Sequence, residues 1–491
     1  MSFKKNALFF ILMVLMFPLA QAQKKDITSQ LYETYGKFKE TTLDKRRIKH
    51  RDIQPLIASY GGNPKFTVRK IGESIEGRDL HLISVGKGAT DVFLWSQMHG
   101  DEPTATLAIF DILNFLDSPD FVVEKKAILN NLTIHFLPML NPDGAEVYQR
   151  RNRLGIDINR DALRLQSPEG RVLKRIRDSL EADFGFNLHD QSTYYNAERT
   201  EKPATISYLA PAYNYEKEIN EVRANAMKII VFMNDIIQNY APGQVGRYND
   251  DFEPRAFGDN IQKWGTSTIL IESGGYPNDV EKREIRKLNY VSLLSAMYTI
   301  GEGSFRDISI ADYDKIPEND RKLFDLKIKG ATHVLLGKEY VLDIGINRLE
   351  VDLEDHKDFW YSSRVWELGD LRTYYGYRTL DATDLVLKPG KVYPKVFDTM
   401  ARLTDLDAEN ALKQGYTFVR VKRIPLERVS SPVPLHVISE TYQVPDFDLK
   451  IGVNPTFILT KNGVNRYAVI NGFLIDLEAE LNPIKNAMIY R

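Results

Sequence analysis

The chain has 491 residues, of which 43% are hydrophobic and 27% are charged, and its net charge is −2. This composition is typical of a soluble globular protein, and the length predicts two or more domains. The sequence contains no long basic or acidic run, so we expect no nucleic-acid partner. It contains no cysteine, which excludes disulfides, thiolate metal ligands and a cysteine nucleophile.

The N-terminus has the pattern of a secretory signal peptide. Lys4 and Lys5 precede an apolar run from Ala7 to Leu19, and Ala20-Gln21-Ala22 follows as a cleavage site. The run is shorter than the roughly 20 apolar residues that a membrane-spanning helix needs. We therefore expect residues 1–22 to be removed on export. The mature protein would then have no membrane anchor and would be located in the bacterial periplasm or outside the cell.

The next part of the chain predicts an α/β domain. Residues 23–50 are polar with a helical pattern, and we expect them to lie on the surface as a lead-in. Residues 51–303 alternate helix patterns with continuous apolar runs, which are typical of strands buried on both faces. These runs are DVFLWSQM, LTIHFLPML, GFNLHD and STILIES. The alternation predicts a mixed, mostly parallel central sheet flanked by helices. In the last helix, EKREIRK is interpreted as a solvated helix face.

Residues 306–491 change to short alternating strands separated by Gly, Asn and Pro turns. They predict a β-rich, sandwich-like accessory domain. The segments FDLKIKGATHVLLGKEYVLDIGINRLEVD and ELGDLRTYYGYRTLDATDLVLKPGKVYP faintly resemble the β-sandwich of amidohydrolases. The H-x-H metal motif of that superfamily has no counterpart here. The resemblance therefore implies a structural or substrate-positioning role, without a second active site.

Polar side chains follow several predicted strands, at the edge where open α/β sheets bind ligands. His99 and Glu102, in WSQMHGDE, follow one strand, and His189, in FNLHDQ, follows another. An imidazole and a carboxylate three residues apart can bind one metal ion, although H-x-x-E alone is a weak signal. Two His and one Glu leave one zinc position open for water, as catalytic zinc sites require.

Two further segments supply groups that could act on a substrate. Glu272, in TILIESGG, ends a buried strand, where a carboxylate is costly unless it is paired or required for chemistry. The segment NPDGAEVYQRRNRLGIDINRDA places Arg150, Asp157, Asn159 and Arg160 among turn residues. Guanidinium groups can hold a substrate carboxylate or stabilise a developing oxyanion.

Taken in order, HGDE, NPDGAE, RRNRLGIDINRDA, NLHD and LIESGG resemble the motifs of the zinc carboxypeptidase family (carboxypeptidase A-like), over roughly residues 50–300. The resemblance implies one zinc ion per chain, bound by His99, Glu102 and His189. It also implies that Glu272 is the general base, which activates the water and passes its proton to the leaving amine. Arg150 would polarise the scissile carbonyl and stabilise the oxyanion.

The resemblance also implies which residues contact the substrate, although the chain departs from the family pattern at one position. It implies that Asn159 and Arg160 clamp the terminal carboxylate of the substrate and that Asp157 orients His99. Tyr248 is the nearest candidate for the mobile tyrosine of the family. The family often has an arginine between the zinc His and Glu, whereas this chain has Asp101. Three residues are candidates for the pocket that selects the side chain of the substrate, and they are Arg255, Phe257 and Asp259. They predict different side-chain preferences, so the sequence does not choose among them.

These features predict an exported zinc metallocarboxypeptidase that acts on peptides or on peptidoglycan stem peptides. One alternative is a zinc-dependent deacylase of N-acyl amino acids, although the RRNRLGIDINR spacing favours the peptidase. The other is a non-catalytic peptide- or glycan-binding module, which the full set of ligands and base argues against. The remaining histidines are interpreted as surface or core residues, and they are His50, His81, His135, His333, His356 and His436.

Overall fold

The computed structural model describes residues 27–479 and 487–491, and the predicted signal peptide lies outside this range. Within this range, no helix is both long and apolar enough to cross a bilayer. We call residues 27–320 the α/β region, and residues 323–479 with 487–491 the β region. The domain boundaries predicted from the sequence stay predictions.

An eight-stranded sheet forms the centre of the α/β region. The strands of this region are β1 (Phe66–Glu73), β2 (Asp79–Gly86), β3 (Thr90–Ser96), β4 (Leu132–Leu137), β5 (Phe184–Asp190), β6 (Asn196–Ala197), β7 (Ile206–Leu209), β8 (Val245–Arg247), β9 (Ser267–Ser273) and β10 (Asn319–Asp320). The sheet order is β1-β2-β4-β3-β5-β9-β7-β8, and β6 pairs separately with β10. The four central strands run parallel, whereas the β1–β2, β2–β4 and β7–β9 pairs are antiparallel. The predicted mixed, mostly parallel sheet is confirmed.

Helices cover both faces of this sheet. They are α1 (Ile27–Thr34), α2 (His50–Gly61), α3 (Thr104–Asp117), α4 (Val122–Asn131), α5 (Pro142–Glu146), α6 (Pro168–Leu180), α7 (Glu221–Gln238), α8 (Phe257–Lys263) and α9 (Arg283–Glu302). Helix α3 is apolar nearly all round, which is typical of a helix enclosed by protein on every side. One core cluster includes α3, α7 and α9, and a second on the other face includes α6 and α8.

The lead-in is part of the core, so the expectation that it lies on the surface is wrong. Leu31, Phe38 and Leu43 are buried in the larger core cluster. Asp111 in α3 accepts hydrogen bonds from the backbone N–H of Glu40 (2.7 Å) and from the hydroxyl of Tyr35 (2.9 Å). Burying these apolar and polar groups holds the segment against the domain.

Two charged residues in or next to α9 are buried, so the interpretation of EKREIRK as a solvated face is wrong for them. The Arg286 guanidinium pairs with Asp111, with Nε 2.7 Å from Oδ2, and both side chains are inaccessible to solvent. Lys282 pairs with Asp190 at 2.9 Å. A charged side chain can be buried when a partner of opposite charge compensates it, and sequence periodicity does not reveal the partner.

The β region contains two sheets. Its elements are β11 (Leu323–Leu335), β12 (Lys338–Asp352), β13 (Phe359–Gly369), β14 (Tyr375–Asp381), β15 (Val386–Lys388), β16 (Lys391–Thr399), α10 (Ala408–Lys413), β17 (Tyr416–Arg423), β18 (His436–Ser439), β19 (Phe457–Lys461), β20 (Val464–Ile470), β21 (Phe473–Asp476) and β22 (Ile489–Tyr490). The larger sheet has the order β13-β12-β11-β15-β19-β20-β21, with β14 beside β11. The smaller sheet, β16-β17-β18-β22, is entirely parallel. The β-rich prediction is confirmed, whereas a separate parallel sheet was not predicted.

Arginines of the lead-in connect the two regions. The Arg47 guanidinium lies between the rings of Tyr148 (3.9 Å) and Phe359 (4.7 Å) and pairs with Asp352 at 2.6 Å. Arg46 donates to the Tyr148 hydroxyl at 2.9 Å and pairs with Glu350. The β region is therefore attached close to the segment that carries Arg150.

Candidate metal centre and active site

The carboxyl ends of three adjacent parallel strands bring the candidate residues together. His99 follows β3, while His189 and Glu272 lie on β5 and β9 and are paired in register across the sheet. Glu102 reaches the same place because the loop after β3 turns tightly at Gly100. A Cβ added to Gly100 would overlap the backbone of Gly144, so only glycine permits this close approach.

Three ligand atoms converge at this edge of the sheet. Glu102 Oε2 lies 2.9 Å from His99 Nδ1 and 2.7 Å from His189 Nδ1, and the two nitrogen atoms are 3.2 Å apart. All three side chains are buried. In the part of the chain that the structure describes, they form the one group of three or more such residues that could hold a metal ion.

The arrangement fits zinc. Tetrahedral zinc with bonds of about 2.0–2.1 Å separates its ligand atoms by roughly 3.3 Å, close to the spacings seen here. Two imidazole nitrogens that face each other and share a carboxylate oxygen suit a cation better than a network of hydrogen bonds alone. Two His and one Glu leave the fourth position of zinc for water or substrate. The predicted cofactor therefore matches the donor set.

Asp157 and Arg150 surround His99. The imidazole N–H at Nε2 of His99 donates to Asp157 Oδ1 at 3.1 Å, which leaves Nδ1 as the lone-pair atom that faces the cluster. Arg150 lies 3.0 Å from Asp157 Oδ2 and 3.2 Å from Glu102 Oε1. Its side chain is 43% exposed, so the guanidinium borders solvent as well as the cluster.

The protonation equilibria follow from burial and mutual charge. Burial lowers the pKa of His99, but Glu102 and Asp157 outweigh this effect and raise it to about 9. Burial raises the pKa of Glu102, but His99 and His189 outweigh it and hold that pKa well below its usual range. Burial lowers the pKa of His189. A cation at the cluster would favour neutral imidazoles and an ionised carboxylate, which are the forms that bind metal.

Glu272 has the most unusual environment of the predicted site residues. Its side chain is half-buried, and its Oε2 atom, which is shielded from solvent, has no hydrogen-bond partner among the described residues. Burial, followed by the charge of Glu102, raises the pKa of Glu272 well above its usual range. A carboxyl oxygen that is shielded from water and has no hydrogen-bond partner is costly, and such sites are enriched in catalytic residues.

The structure brings Tyr248 to the same site. Burial, followed by the charge of Glu272, raises the pKa of the Tyr248 hydroxyl, and Glu102 adds to the effect. Its ring makes an edge contact with the ring of Tyr195, and the two ring centroids are 5.7 Å apart. Tyr195 belongs to the Tyr-rich segment after His189. The sequence marked this segment but did not separate a cleft residue from a packing residue.

Asn159 and Arg160 lie at the other side of the cluster. Asn159 is buried, and its Oδ1 accepts the backbone N–H of Phe257 at 3.0 Å. Arg160 Nη1 donates to the Asn159 carbonyl at 2.8 Å, and its Nε lies 3.6 Å from Glu253. Glu253 was not singled out from the sequence, because an acidic residue in a polar loop gives no signal of its own.

The three pocket candidates have different surroundings. Phe257 is fully buried in a core cluster, so it supports the segment from within and does not line an open pocket. The Arg255 guanidinium pairs with Glu253 at 2.8 Å. Burial raises the pKa of Asp259 to about 6. Asp101, which occupies the place of the family's arginine, is half-buried, and burial raises its pKa to about 6.

Asp190 is a site residue that the sequence reading missed. It directly follows His189, and its Oδ2 accepts from the Thr104 hydroxyl (2.6 Å) and from Lys282 (2.9 Å). Its backbone N–H donates to Glu102 Oε2 at 3.3 Å. The acidic residue after a candidate ligand in NLHD was the available signal, but its partner Lys282 lies 92 residues away.

Comparison with known proteins supports the resemblance. Residues 60–236 match the family model "Zinc carboxypeptidase". The chain is 26% identical over 175 residues to carboxypeptidase SOL1 of Arabidopsis thaliana, covering 29% of this chain and 35% of that protein. It is 33% identical over 116 residues to carboxypeptidase E of Caenorhabditis elegans, covering 19% and 25%. The aligned parts thus span about a third of the length of these relatives, or less.

Solved structures give a weaker likeness. The metallo-carboxypeptidase from Burkholderia cenocepacia aligns with a TM-score of 0.43 and 15% identity, covering 52% of this chain and 69% of that one. Carboxypeptidase A from Helicoverpa armigera aligns with a TM-score of 0.43 and 16% identity, covering 57% and 79%.

The family match agrees with the resemblance over residues 60–236, which are less than half of the chain. The matched range contains all three candidate metal ligands together with Arg150, Asp157, Asn159 and Arg160. Glu272 and Tyr248 lie beyond it, so their placement at the same site comes from the sheet and its loops alone.

Proposed function

We propose that the protein is an exported zinc carboxypeptidase that hydrolyses the last peptide bond of peptide substrates. One observation carries the proposal, which is the convergence of His99 Nδ1, His189 Nδ1 and Glu102 Oε2 at the strand end that carries Glu272, whose Oε2 atom is shielded from solvent and has no partner among the described residues. Export rests on the signal-peptide pattern of the sequence. Export to the periplasm would add peptidoglycan stem peptides to the candidate substrates.

The residues of the chain divide the reaction between them. When bound, zinc supplies a Lewis acid that polarises the scissile carbonyl and lowers the pKa of a water molecule. Glu272 accepts a proton from the attacking water and returns it to the nitrogen of the leaving amine. Because its Oε2 atom is shielded from solvent, bulk water competes less for this proton. Asp157 holds His99 in the tautomer whose Nδ1 lone pair faces the cluster.

Four other residues would bind the substrate and stabilise the developing charge. Arg150 is partly exposed beside the cluster, where its guanidinium can donate to the oxyanion that develops on the carbonyl. Arg160 and the free amide nitrogen of Asn159 can hold the terminal carboxylate. A clamp at a fixed distance from the reacting bond selects the last bond of a chain. Tyr248, beside Glu272, can cover the substrate.

The proposal is tested with the chain from Gln23 to Arg491, supplied with zinc, and a peptide mixture that presents all common C-terminal residues. Mass spectrometry follows the products. We expect the loss of single residues from the C-terminus and a defined preference for some of them. Glu272→Gln should lower turnover by about 10²- to 10⁴-fold while zinc still binds. The matched control is Glu302→Gln, at an exposed carboxylate at the end of α9, and it should keep full activity.

Other outcomes would select another function. Release of fatty or acetyl groups from N-acyl amino acids, with peptides left intact, would identify the deacylase. Zinc binding at one per chain without turnover of any substrate would favour a binding module. If zinc did not bind at all, the assignment of His99, Glu102 and His189 would be wrong.

A further inference from the structure

A cavity between the two regions lies next to the proposed active site. It has a volume of about 210 Å³. The α/β region contributes Thr193, Gly275 and Lys282, while Arg348 and Tyr377 come from the β region. None of its lining residues belongs to the Asn159–Arg160 end of the site. The cavity therefore lies away from the place proposed for the terminal carboxylate.

The cavity is continuous with the loops that carry the reacting groups. Thr193 follows the candidate ligand His189 by four residues, so their Cα atoms are at most about 14 Å apart. Gly274, also in its lining, follows Glu272 by two residues, which limits that separation to about 7 Å. A peptide that extends from the reacting bond away from Arg160 has this cavity within reach of its next few residues.

The β region is built into these loops. The hydroxyl of Tyr377 donates to the Thr193 carbonyl at 2.5 Å, and a Cβ added to Gly275 would overlap that hydroxyl. From the other side, the hydroxyl of Tyr194 donates to Asp325 Oδ2 at 2.7 Å. The strands of the β region thus form one wall of the cavity and fix its distance from Glu272 and His189.

Among the three cations that line the cavity, Arg46, Lys282 and Arg348, only Arg348 forms no ion pair within the described residues. Lys282 pairs with Asp190, and Arg46 pairs with Glu350. The Arg348 guanidinium has one hydrogen bond, from Nη2 to the Gly472 carbonyl at 3.2 Å, and it stacks on the ring of Phe473 at 3.8 Å. No ion pair to Arg348 is formed within the described residues, and its buried Nε has no hydrogen-bond partner there.

The nearest acid to Arg348 is already engaged. Asp325 Oδ2 accepts from the Tyr194 hydroxyl and from the backbone N–H of Arg348 at 2.7 Å. A half-buried guanidinium with free donors, placed on a cavity wall, is suited to bind a carboxylate. Tyr361 and Tyr377 add aromatic surface for the stem of such a side chain.

We propose that this cavity binds the substrate upstream of the scissile bond, and that Arg348 recognises a carboxylate there. The inference rests on the proposed function, because that function places the C-terminus of the peptide at Asn159 and Arg160 and so directs the rest of the peptide towards the cavity. It assigns the β region a role in specificity. Acidic peptides, including those with a free carboxylate on a side branch, are the substrate class that this site would select.

The test uses the full chain with zinc and two kinds of substrate. The first is an N-blocked dipeptide, which is too short to enter the cavity. The second is a set of blocked pentapeptides in which Glu, Gln or Lys takes the second, third or fourth position from the C-terminus. The C-terminal residue is the one that the peptide screen selects. We expect kcat/KM for one Glu position to exceed that for Gln by about tenfold or more, with Lys lowest.

Variants assign this preference to Arg348. Arg348→Gln should remove the preference for Glu while leaving the dipeptide rate unchanged, and Arg348→Lys should keep part of it. Arg364→Gln, an exposed arginine on β13, is the matched control and should change neither. Equal rates for Glu and Gln in the wild type would overturn the inference. So would an equal fall of dipeptide and pentapeptide rates in Arg348→Gln.

Failure of the proposed function gives a different result. If neither the dipeptide nor any pentapeptide is hydrolysed, the carboxypeptidase assignment fails. Calorimetric titration then measures the affinity of the protein for the same pentapeptides. Tighter binding of a Glu peptide than of its Gln partner, abolished in Arg348→Gln, would support the cavity site on its own. Equal affinities would overturn it.

Discussion

The α/β region and the β region stabilise buried polar groups in different ways. The α/β region buries charges as pairs, such as Arg286 with Asp111 and Lys282 with Asp190. In the β region, most buried polar side chains are neutral, among them His436, Asn471 and Thr460. Removing one member of a buried ion pair destabilises the fold because it leaves a charge without a partner. A buried neutral group that keeps its hydrogen bonds destabilises the fold only when it becomes charged. The two regions should therefore respond to different perturbations.

The largest effect is expected from breaking the pair at the centre of the α/β region. Arg286→Ala leaves Asp111 unpaired and removes the donors that Arg286 provides to the Leu43 carbonyl (2.5 Å) and the Glu40 carbonyl (3.1 Å). We expect the free energy of unfolding to fall by about 5 kcal/mol, at the upper end of the range for broken buried pairs. Urea unfolding followed by circular dichroism measures this loss.

A matched control lies on the same helix. Arg283 pairs with Asp44, and both side chains are 56% exposed. Arg283→Ala should therefore change the free energy of unfolding by no more than about 0.5 kcal/mol. Similar losses in the two variants would contradict the view that burial, and not charge pairing as such, makes Arg286 important.

Zinc should stabilise the α/β region more than the β region. At free zinc a hundredfold above its dissociation constant, one site adds about 2.7 kcal/mol to the stability of the state that binds it. Hydrogen exchange measured by mass spectrometry should show slower exchange in β3, β5 and β9 when zinc replaces chelator. His189→Ala should abolish the difference. Equal protection of β19 and β20 would instead indicate that both regions unfold as one unit.

The sequence predicted the α/β region well where a strong local pattern coincided with a strand end. The runs before His99, His189 and Glu272 are apolar and continuous, so both the strands and the site at their carboxyl ends could be predicted. Tyr195 and Asp190 could not be assigned, because their partners Tyr248 and Lys282 lie far along the chain.

The wrong or missing predictions concern features that depend on tertiary packing and not on the local sequence pattern. The lead-in has few apolar residues, yet Phe38 and Leu43 are buried. Hydrogen bonds attach its backbone to two helices, because Asp111 of α3 accepts the N–H of Glu40 and Arg286 of α9 donates to the Leu43 carbonyl. The parallel pairing of β16, β17 and β18 joins segments that are distant in sequence, and such pairing leaves no local signal.

Acid should weaken the β region through His436. This side chain is buried between the rings of Phe418 and Tyr490. Its Nδ1 accepts the backbone N–H of Met488 at 2.9 Å, and its Nε2–H donates to Thr456 Oγ1 at 2.8 Å, so only the neutral form fits. Burial lowers the pKa of His436 from 6.5 to about 3.

The sign follows from proton binding. Between pH 6.5 and 3 the unfolded chain holds a proton at this histidine that the folded chain lacks. The stabilisation is therefore complete above pH 6.5 and is lost as the pH falls. At pH 5 the loss is about 2 kcal/mol. The difference in unfolding free energy between wild type and His436→Asn should shrink by this amount from pH 7.5 to pH 5. His333→Asn serves as the control, and a difference independent of pH would refute the assignment.

The smallest effect is expected at the exposed edge between the regions, at Lys45. Lys45 pairs with Asp358 at 2.9 Å, but the two side chains are 60% and 53% exposed. Water and salt screen such a pair, so Lys45→Ala should cost no more than about 0.5 kcal/mol and even less at high salt. Arg47, two residues further on, has a side chain that is only 2% exposed and holds both Glu350 and Asp352. If Lys45→Ala destabilised the protein as much as Arg47→Ala, long-range charge attraction would hold the β region in place. If only Arg47→Ala does so, the attachment depends on the buried contacts with Tyr148 and Phe359.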